Sequence, residues 1–460
     1  MADQATAQEF DILVLGGGSG GYATALRAVQ LGFTVGLVEK AKLGGTCLHN
    51  GCIPTKALLH AAEVADHARD AVKYGVNVDL QSIDMSAVNA YKNGIIAGKY
   101  KGLQGLIKGK GITVIEGEGK LTSANTVTVN GTAYTGRNVV LATGSYSRTL
   151  PGLELGGRVI TSDQALEMDY IPKSAIVLGG GVIGVEFASV WKSFGVDVTI
   201  IEGLPSLVPN EDAAIVKVLE RSFKKRGINF TTGIFFQGVE QNDDGVKVTL
   251  VDGKTFEAEL LLVAVGRGPV TQGLGFEEAG VTVDRGFVIT NERLHTGVGN
   301  IYAVGDIVPG VQLAHRGFQQ GIFVAEEIAG LKPVIIEDIN VPKVTYCDPE
   351  IATVGYTEKA AKEKFGADAV ETTEYNLAGN GKSSILGTGG LVKLVRQKDG
   401  PIVGMHMIGT RMGEQIGEAQ LIVNWEAYPE DVAQLIHAHP TQNEALGEAA
   451  MALAGRPLHG

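Results

Sequence analysis

The chain has 460 residues and a formal net charge of −12, with 44% hydrophobic and 20% charged residues. That balance fits a globular protein of roughly three domains at about 150 residues each. The acidic surplus argues against a nucleic-acid or anionic-membrane surface, since both need concentrated Lys and Arg. No apolar run approaches the roughly 18 residues that a membrane span needs. Short basic runs at 98–111 and 224–227 read as solvated faces. The polar start, "MADQATAQEFDILVLGGG", lacks a basic n-region and a signal-peptide core, so a cytoplasmic location is expected. Three cysteines cannot build a disulfide framework, and a close pair in a reducing compartment points to redox or metal chemistry.

In chain order, residues 10–40 come first: an apolar β-branched run, a GxGxxG turn (Gly16, Gly18, Gly21), a helical pattern, and a second apolar run ending in Glu39. The glycines allow a tight turn and close approach to a pyrophosphate. The helix start offers amides to its charge, and the acid about 20 residues on can accept from a ribose. One such motif is weak evidence, but residues 174–203 repeat it at a constant offset, with Gly179, Gly181, Gly184 and Glu202. Two modules imply two dinucleotides that exchange electrons. Glu202 is followed by Gly203 and Leu204, with no arginine until Arg221, so a 2′-phosphate is disfavoured and NAD is expected over NADP.

Between the copies lies "GGTCLHNGCIPTK" (44–56). Cys47 and Cys52 lack the second cysteine cluster of a structural zinc site; with His49 between them a three-ligand site is conceivable, and it is the minor reading. In an ideal helix, Cα atoms five residues apart are about 8.6 Å apart, beyond the roughly 7 Å that a disulfide spans. The pair can close only if the segment leaves helical geometry, and Asn50-Gly51 and Pro54 supply that departure. An amphipathic helix follows, so its dipole and Lys56 are expected to favour thiolate. His60 and His67 read as surface residues, and Cys347 as a partly buried thiol.

Further along, "VVLATGS" (139–145, with Gly144) and "LLVAVGR" (261–267, with Gly266) read as buried strands ending in glycine turns. Hairpins are expected at Asn130-Gly131 and Asp252-Gly253. "NIYAVGDIVPG" (300–310) is a strand ending in Gly305-Asp306. Near the end, "IHAHPTQNEALGEA" (436–449) offers an imidazole for thiol deprotonation and a carboxylate to orient it, His439 and Glu444. Five apart, they are off-register on one helix face, but Pro440 suggests a turn that lets them meet.

Together these motifs resemble the pyridine nucleotide–disulfide oxidoreductases, over residues 10–460. The cysteine motif with "HAHPTQNE" is most similar to members that oxidise dihydrolipoyl groups in 2-oxo acid dehydrogenase complexes. The resemblance implies an α/β fold: two Rossmann-like dinucleotide-binding domains plus a C-terminal α/β dimerisation domain. It places FAD on residues 1–150 and 275–345, NAD on 151–274, and the homodimer interface on 346–460. It implies FAD contacts from Gly16, Gly18, Gly21, Glu39, Lys56, Gly144 and Asp306. NAD contacts are implied for Gly179, Gly181, Gly184, Glu202 and Gly266. Cys52 is similar to the flavin-proximal thiol and Cys47 to the substrate-exchanging thiol. Lys56 pairs with Glu186, and His439 with Glu444 resembles the base and its orienting partner, reaching the thiols of the other subunit. No metal is implied. Expected partners are lipoyl domains and the acyltransferase core of such complexes.

A reductase of glutathione or mycothiol disulfide with NADPH is the nearest alternative, and Glu202 and the "HAHPT" form count against it. A mercuric ion reductase would carry a further cysteine pair near its end, and a flavin oxidase relative would keep one redox cysteine. A non-catalytic scaffold would have no need of both thiols, His439 and Glu444.

Overall fold

The computed structural model describes residues 8–459. The chain divides into two compact units. One comprises the described residues of Met1–Ala57 with Ser86–Arg148 and Gly266–Asp338; the other comprises Leu58–Met85, Thr149–Val265 and the described residues of Ile339–Gly460.

In the first unit, strand Gln8–Leu15 lies between Val35–Glu39 and Thr132–Leu141, all parallel. Thr113–Glu116 and Ile301–Ala303 extend the parallel set. Successive strand side chains face opposite ways. Ile12 and Val14 therefore pack with Ala25, Ala28, Phe323 and Val324 of the two flanking helices. Leu13 and Leu15 pack with Leu121, Val127 and Val129 of an antiparallel meander. Burial on both faces is why this strand reads as an unbroken apolar run. The meander turns at Asn130-Gly131, both at positive φ, 49° and 82°, as a two-residue hairpin with inverted turn geometry requires.

The second unit repeats the plan. Ser174–Leu178 lies between Asp197–Glu202 and Leu260–Val263, with Asn229–Thr232 and Val159–Thr161 outside them, all parallel. Its meander, Phe236–Gln241, Val246–Leu250 and Thr255–Ala258, is antiparallel. It sets Val246, Val248 and Leu250 against Ile176 and Leu178.

The same unit holds a five-stranded antiparallel sheet, ordered Lys343–Thr345, Glu350–Gly355, Ile402–Gly409, Leu391–Gln397, Val370–Asn376. Helices Met412–Asn424 and Glu444–Leu453 cover it, with Met412, Ala419, Leu446 and Ala450 in one core with Val392, Leu394 and Met405. A buried ion cluster joins sheet and module. The Lys393 ammonium donates to Asp212 Oδ1 (2.9 Å) and Glu358 Oε2 (2.6 Å). Asp212 also caps helix Ala213–Arg226 through the Ala214 amide at 3.0 Å. Burial opposes the Asp212 charge, but the Lys393 and backbone bonds prevail and hold its carboxyl below the usual range.

Two readings from sequence are corrected. Cys347 is 1% exposed rather than half-buried. Arg226, in the run 224–227, is no solvated residue: it donates to Ser189 Oγ (2.7 Å), Ser193 Oγ (2.9 Å) and the Asp348 carbonyl (2.7 Å). Its long stem lets it cross to polar groups that sequence distance conceals. No helix among the described residues is long and apolar enough to cross a membrane.

Candidate active site

Each glycine turn is enforced by sterics. Gly16 has φ 108°, and a Cβ there would stand 2.2 Å from the Ala142 carbonyl oxygen; at Gly21 it would stand 1.8 Å from Gly16 O. In the second copy Gly179 has φ 111°, with 2.3 Å to Ala264 O, and Gly184 has 1.9 Å to Gly179 O. The middle glycines differ in kind. A Cβ on Gly181 would meet nothing within 4 Å, and on Gly18 only Gly45 Cα at 4.0 Å. These positions leave room for a ligand to reach the starts of helices Ser19–Gln30 and Val182–Ser193, neither of which has a side-chain cap.

The two acids are held alike. Glu39 accepts from the amides of Gly17 (2.7 Å) and Ala41 (2.8 Å). Glu202 accepts from Gly180 (2.6 Å) and Leu204 (2.8 Å). Each carboxylate has lone pairs to spare for a ribose. In the first unit Glu39 lines a cavity of about 310 Å³ with Ala41, Leu43, Tyr100, Gln104 and Glu116. Room, acceptor and glycine cradle fit a dinucleotide in the first module, and acceptor and cradle fit one in the second.

The chain leaves Glu39 for the thiols. Cys47 sits in the short helix Gly45–His49, and Cys52 opens helix Cys52–Asp70. Asn50 breaks the helical path between them, with φ −133° and ψ 20°, so the departure required for the pair to meet is present. Pro54 falls in the first turn, where its missing N–H costs nothing. The two thiols are unbridged. Cys47 is pushed well up in pKa, first by its hydrogen bond with Cys52, then by burial; Lys56 pulls it down and Asp306 pushes it up. Burial and the mutual hydrogen bond thus oppose the thiolate that Lys56 favours at Cys47, and two coupled thiols cannot both ionise cheaply. Tyr22, on the helix after Gly21, feels the same pair: burial first, then Cys47 and Cys52, raise its phenol to about 12.

Asp306 follows strand Ile301–Ala303 in a single 3₁₀ turn. Ser145 Oγ donates to its Oδ2 at 2.5 Å, and Arg267 donates to that Ser145 Oγ at 2.8 Å. Gly144 turns at φ 77°, its carbonyl accepting from the Val270 amide; Gly266 turns at φ 103°, its carbonyl accepting from the Arg148 amide. Sequence reading missed Ser145, Arg267 and Tyr22. The "GS" after Gly144 and the "GR" at 266–267 were the available signals.

In the second unit, His439 Nδ1 lies 2.8 Å from Glu444 Oε1, and the Thr441 amide donates to Glu444 Oε2 at 2.7 Å. Glu444 opens helix Glu444–Leu453. The turn before the helix brings the two residues together despite their spacing. A carboxylate only accepts, so Nδ1 carries the proton and Nε2 is the basic atom. The His439 side chain is 76% exposed, presenting that atom outward. Glu186 is buried on helix Val182–Ser193 and accepts from the Tyr346 amide at 2.9 Å. Lys56 lies in the first turns of helix Cys52–Asp70.

Residues 10–321 match the pyridine nucleotide-disulphide oxidoreductase family, and residues 341–450 match its dimerisation domain, which supports a homodimer. A dihydrolipoyl dehydrogenase of Bacillus subtilis (strain 168) is 40% identical, covering 98% of this chain and 100% of that one. The mitochondrial dihydrolipoyl dehydrogenase of Pisum sativum is 38% identical, covering 98% and 93%. Among solved structures, LpdA from Mycobacterium tuberculosis superposes with a TM-score of 0.89 at 26% identity, covering 97% of this chain and 100% of that one. The Cu(II) complex of the HOCl-induced flavoprotein disulfide reductase RclA from Escherichia coli gives 0.87 at 25%, with the same coverage. The glycine cradles and the thiol pair thus sit in a chain that these relatives match nearly end to end: the chain belongs to the pyridine nucleotide-disulphide oxidoreductase family.

Proposed function

We propose that the chain oxidises protein-bound dihydrolipoyl groups to lipoyl disulfide and reduces NAD⁺, as a cytoplasmic homodimer serving 2-oxo acid dehydrogenase complexes. The observation that carries the reading is the hydrogen-bonded thiol pair, Cys47 with Cys52, at the head of a helix in the unit that holds the first glycine cradle. Relatives called dihydrolipoyl dehydrogenase, matched over 98% of the chain, support the substrate.

In this reading FAD occupies the first module, on Gly16, Gly18, Gly21, Glu39, Lys56, Gly144 and Asp306. NAD occupies the second, on Gly179, Gly181, Gly184, Glu202 and Gly266. When bound, the two cofactors supply a two-electron path from thiolate to nicotinamide. The protein's part begins with Cys47 and Cys52 as a disulfide. His439 Nε2 takes a proton from one substrate thiol while Glu444 holds the resulting imidazolium. The substrate thiolate attacks Cys47 Sγ, forming a mixed disulfide and expelling Cys52 as thiolate. The second substrate thiol then attacks its own mixed-disulfide sulfur, and Cys47 leaves with the proton. The product is lipoyl disulfide and the enzyme dithiol. Lys56 balances the charge of Cys52, the thiolate that carries the electron pair taken from the substrate.

Purified protein should oxidise dihydrolipoamide with NAD⁺ and show little turnover of glutathione disulfide with NADPH. The reverse preference would assign it to the low-molecular-weight disulfide reductases instead. His439→Gln should lower dihydrolipoamide turnover by about 10²- to 10⁴-fold, the range for a lost general base.

A further inference from the structure

His439 is carried by a segment with little hold on the rest of the fold. Ile436 is 100% and Leu435 57% exposed, and Ala438, His439 and Pro440 are exposed as well. The exception within Leu435–Pro440 is His437, whose side chain is 10% exposed. Its Nε2 lies 2.8 Å from Glu418 Oε1, on helix Met412–Asn424. The other Glu418 oxygen accepts from Asn443 Nδ2 at 2.7 Å, and Asn443 directly precedes Glu444. One carboxylate therefore grips the segment on both sides of His439. A glycine completes the seat: a Cβ on Gly447 would stand 2.6 Å from His437 Nδ1, and Gly447 lies on the helix that Glu444 opens.

His437 is raised in pKa, first by its bond to Glu418 against the opposing effect of burial, with Glu444 adding to the rise. Glu418 is lowered, first by His437, and further by Asn443. The two directions agree: each partner favours the other's charged form. The pair's partial burial makes it stiffer than an exposed surface pair.

We infer that Glu418, acting through His437 and Asn443, is a positioning residue for the reaction: it fixes where His439 Nε2 stands relative to the substrate thiol. The inference rests on the proposed role of His439 as base. Misplacing a catalytic group by about 1 Å costs on the order of 100-fold. Beyond His439 the chain is also held at Thr441 by Asn380 and at Gln442 by Ser383, whereas on the His437 side the hold is Glu418, so a displacement would arise there.

The test uses the FAD-loaded homodimer and follows its two half-reactions separately by rapid mixing. Dihydrolipoamide reduces the enzyme through His439, whereas NADH reduces it from the nicotinamide side without that base. Glu418→Ala should slow the dihydrolipoamide half-reaction by about 10- to 100-fold and leave the NADH half-reaction within about twofold. Glu418→Gln, which keeps one accepting oxygen, should recover part of the loss. Gly447→Ala, which pushes the imidazole from the other side, should reproduce the split if Glu418→Ala folds poorly. His439→Gln is run beside them. If it abolishes the dihydrolipoamide half-reaction while Glu418→Ala and Gly447→Ala leave it unchanged, the positioning role is wrong. Equal loss of both half-reactions in the two variants also overturns it, because that reports general damage. If His439→Gln itself keeps the half-reaction, the proposed base fails first.

Discussion

The two dinucleotide modules are built alike and put to different ends. Both place a glycine at positive φ with no room for a Cβ, and both clasp a glutamate between two backbone amides at 2.6–2.8 Å. They diverge immediately after that glutamate. Glu39 is followed by Lys40, which pairs with Glu118 at 3.3 Å. Glu202 is followed by Gly203, where a Cβ would stand 2.7 Å from the ring of the exposed Phe235. From there the first copy runs on to two thiols, and the second to a helix capped by Asp212. The backbone cradle is thus a generic device set by sterics. Chemistry is written in what the chain does after the acid.

The sharpest way to separate cradle from chemistry is Cys47→Ser. Dihydrolipoamide turnover should fall by roughly 10³-fold or more, as when a covalent nucleophile is removed, while NADH oxidation by an artificial acceptor persists. Loss of both would mean that the thiol segment also supports the cradle. Next come the glycines. Gly21→Ala and Gly184→Ala each force a Cβ into a carbonyl oxygen, at 1.8 and 1.9 Å, an overpacking worth about 1–3 kcal/mol. The first variant should bleach the purified protein of flavin. The second should stay yellow and raise the KM for NAD⁺ by roughly 10- to 100-fold, and equal effects on both cofactors would erase the assignment.

Acid tests what the second module stands on. His406 is 0% exposed in the sheet beside it, donates from Nε2 to the Tyr356 carbonyl at 2.9 Å, and is pushed down to about 4 by burial. The unfolded chain binds a proton below about pH 6.5 that the folded chain refuses until about pH 4. Stability is therefore full above pH 6.5 and declines as pH falls through that window, by about 3 kcal/mol. Urea midpoints at pH 7 and 4.5 should differ, and less so in His406→Asn. Glu202→Ala isolates the acid from its cradle. Removing one charged acceptor should cost about 1.5–3 kcal/mol of NAD⁺ affinity and narrow the preference over NADP⁺, as read from the ratio of kcat/KM values.

Much of this was legible because the constraints are local. Gly21 and Gly184 are dictated by backbone clashes within their own turns, and Asn130-Gly131 by hairpin geometry; Gly16 and Gly179 meet the carbonyls of the distant Ala142 and Ala264, but their place in the motif already marks them. The meeting of His439 with Glu444 could be foreseen from a proline between them. What escaped was long-range. Ser145 and Asp306 are 161 residues apart, and nothing in either neighbourhood announces the other. Arg226 reads as one of a basic surface run, and only the fold brings Ser189, Ser193 and Asp348 around it. The upward push on the Cys47 thiol escapes the sequence because the helix and Lys56 are visible there, whereas the coupling between two thiols depends on their final separation.

The Lys393 ammonium, wedged between Asp212 and Glu358, limits how this enzyme can be re-engineered. Its side chain is 4% exposed and that of Asp212 2%. Excising the nucleotide-binding stretch Thr149–Val265 for use in a chimera would strand a carboxylate whose counterion belongs to a strand more than a hundred residues downstream. Stranding half of such a pair costs about 3–5 kcal/mol. A graft of that stretch needs a lysine supplied by the recipient scaffold, or an uncharged residue in place of Asp212.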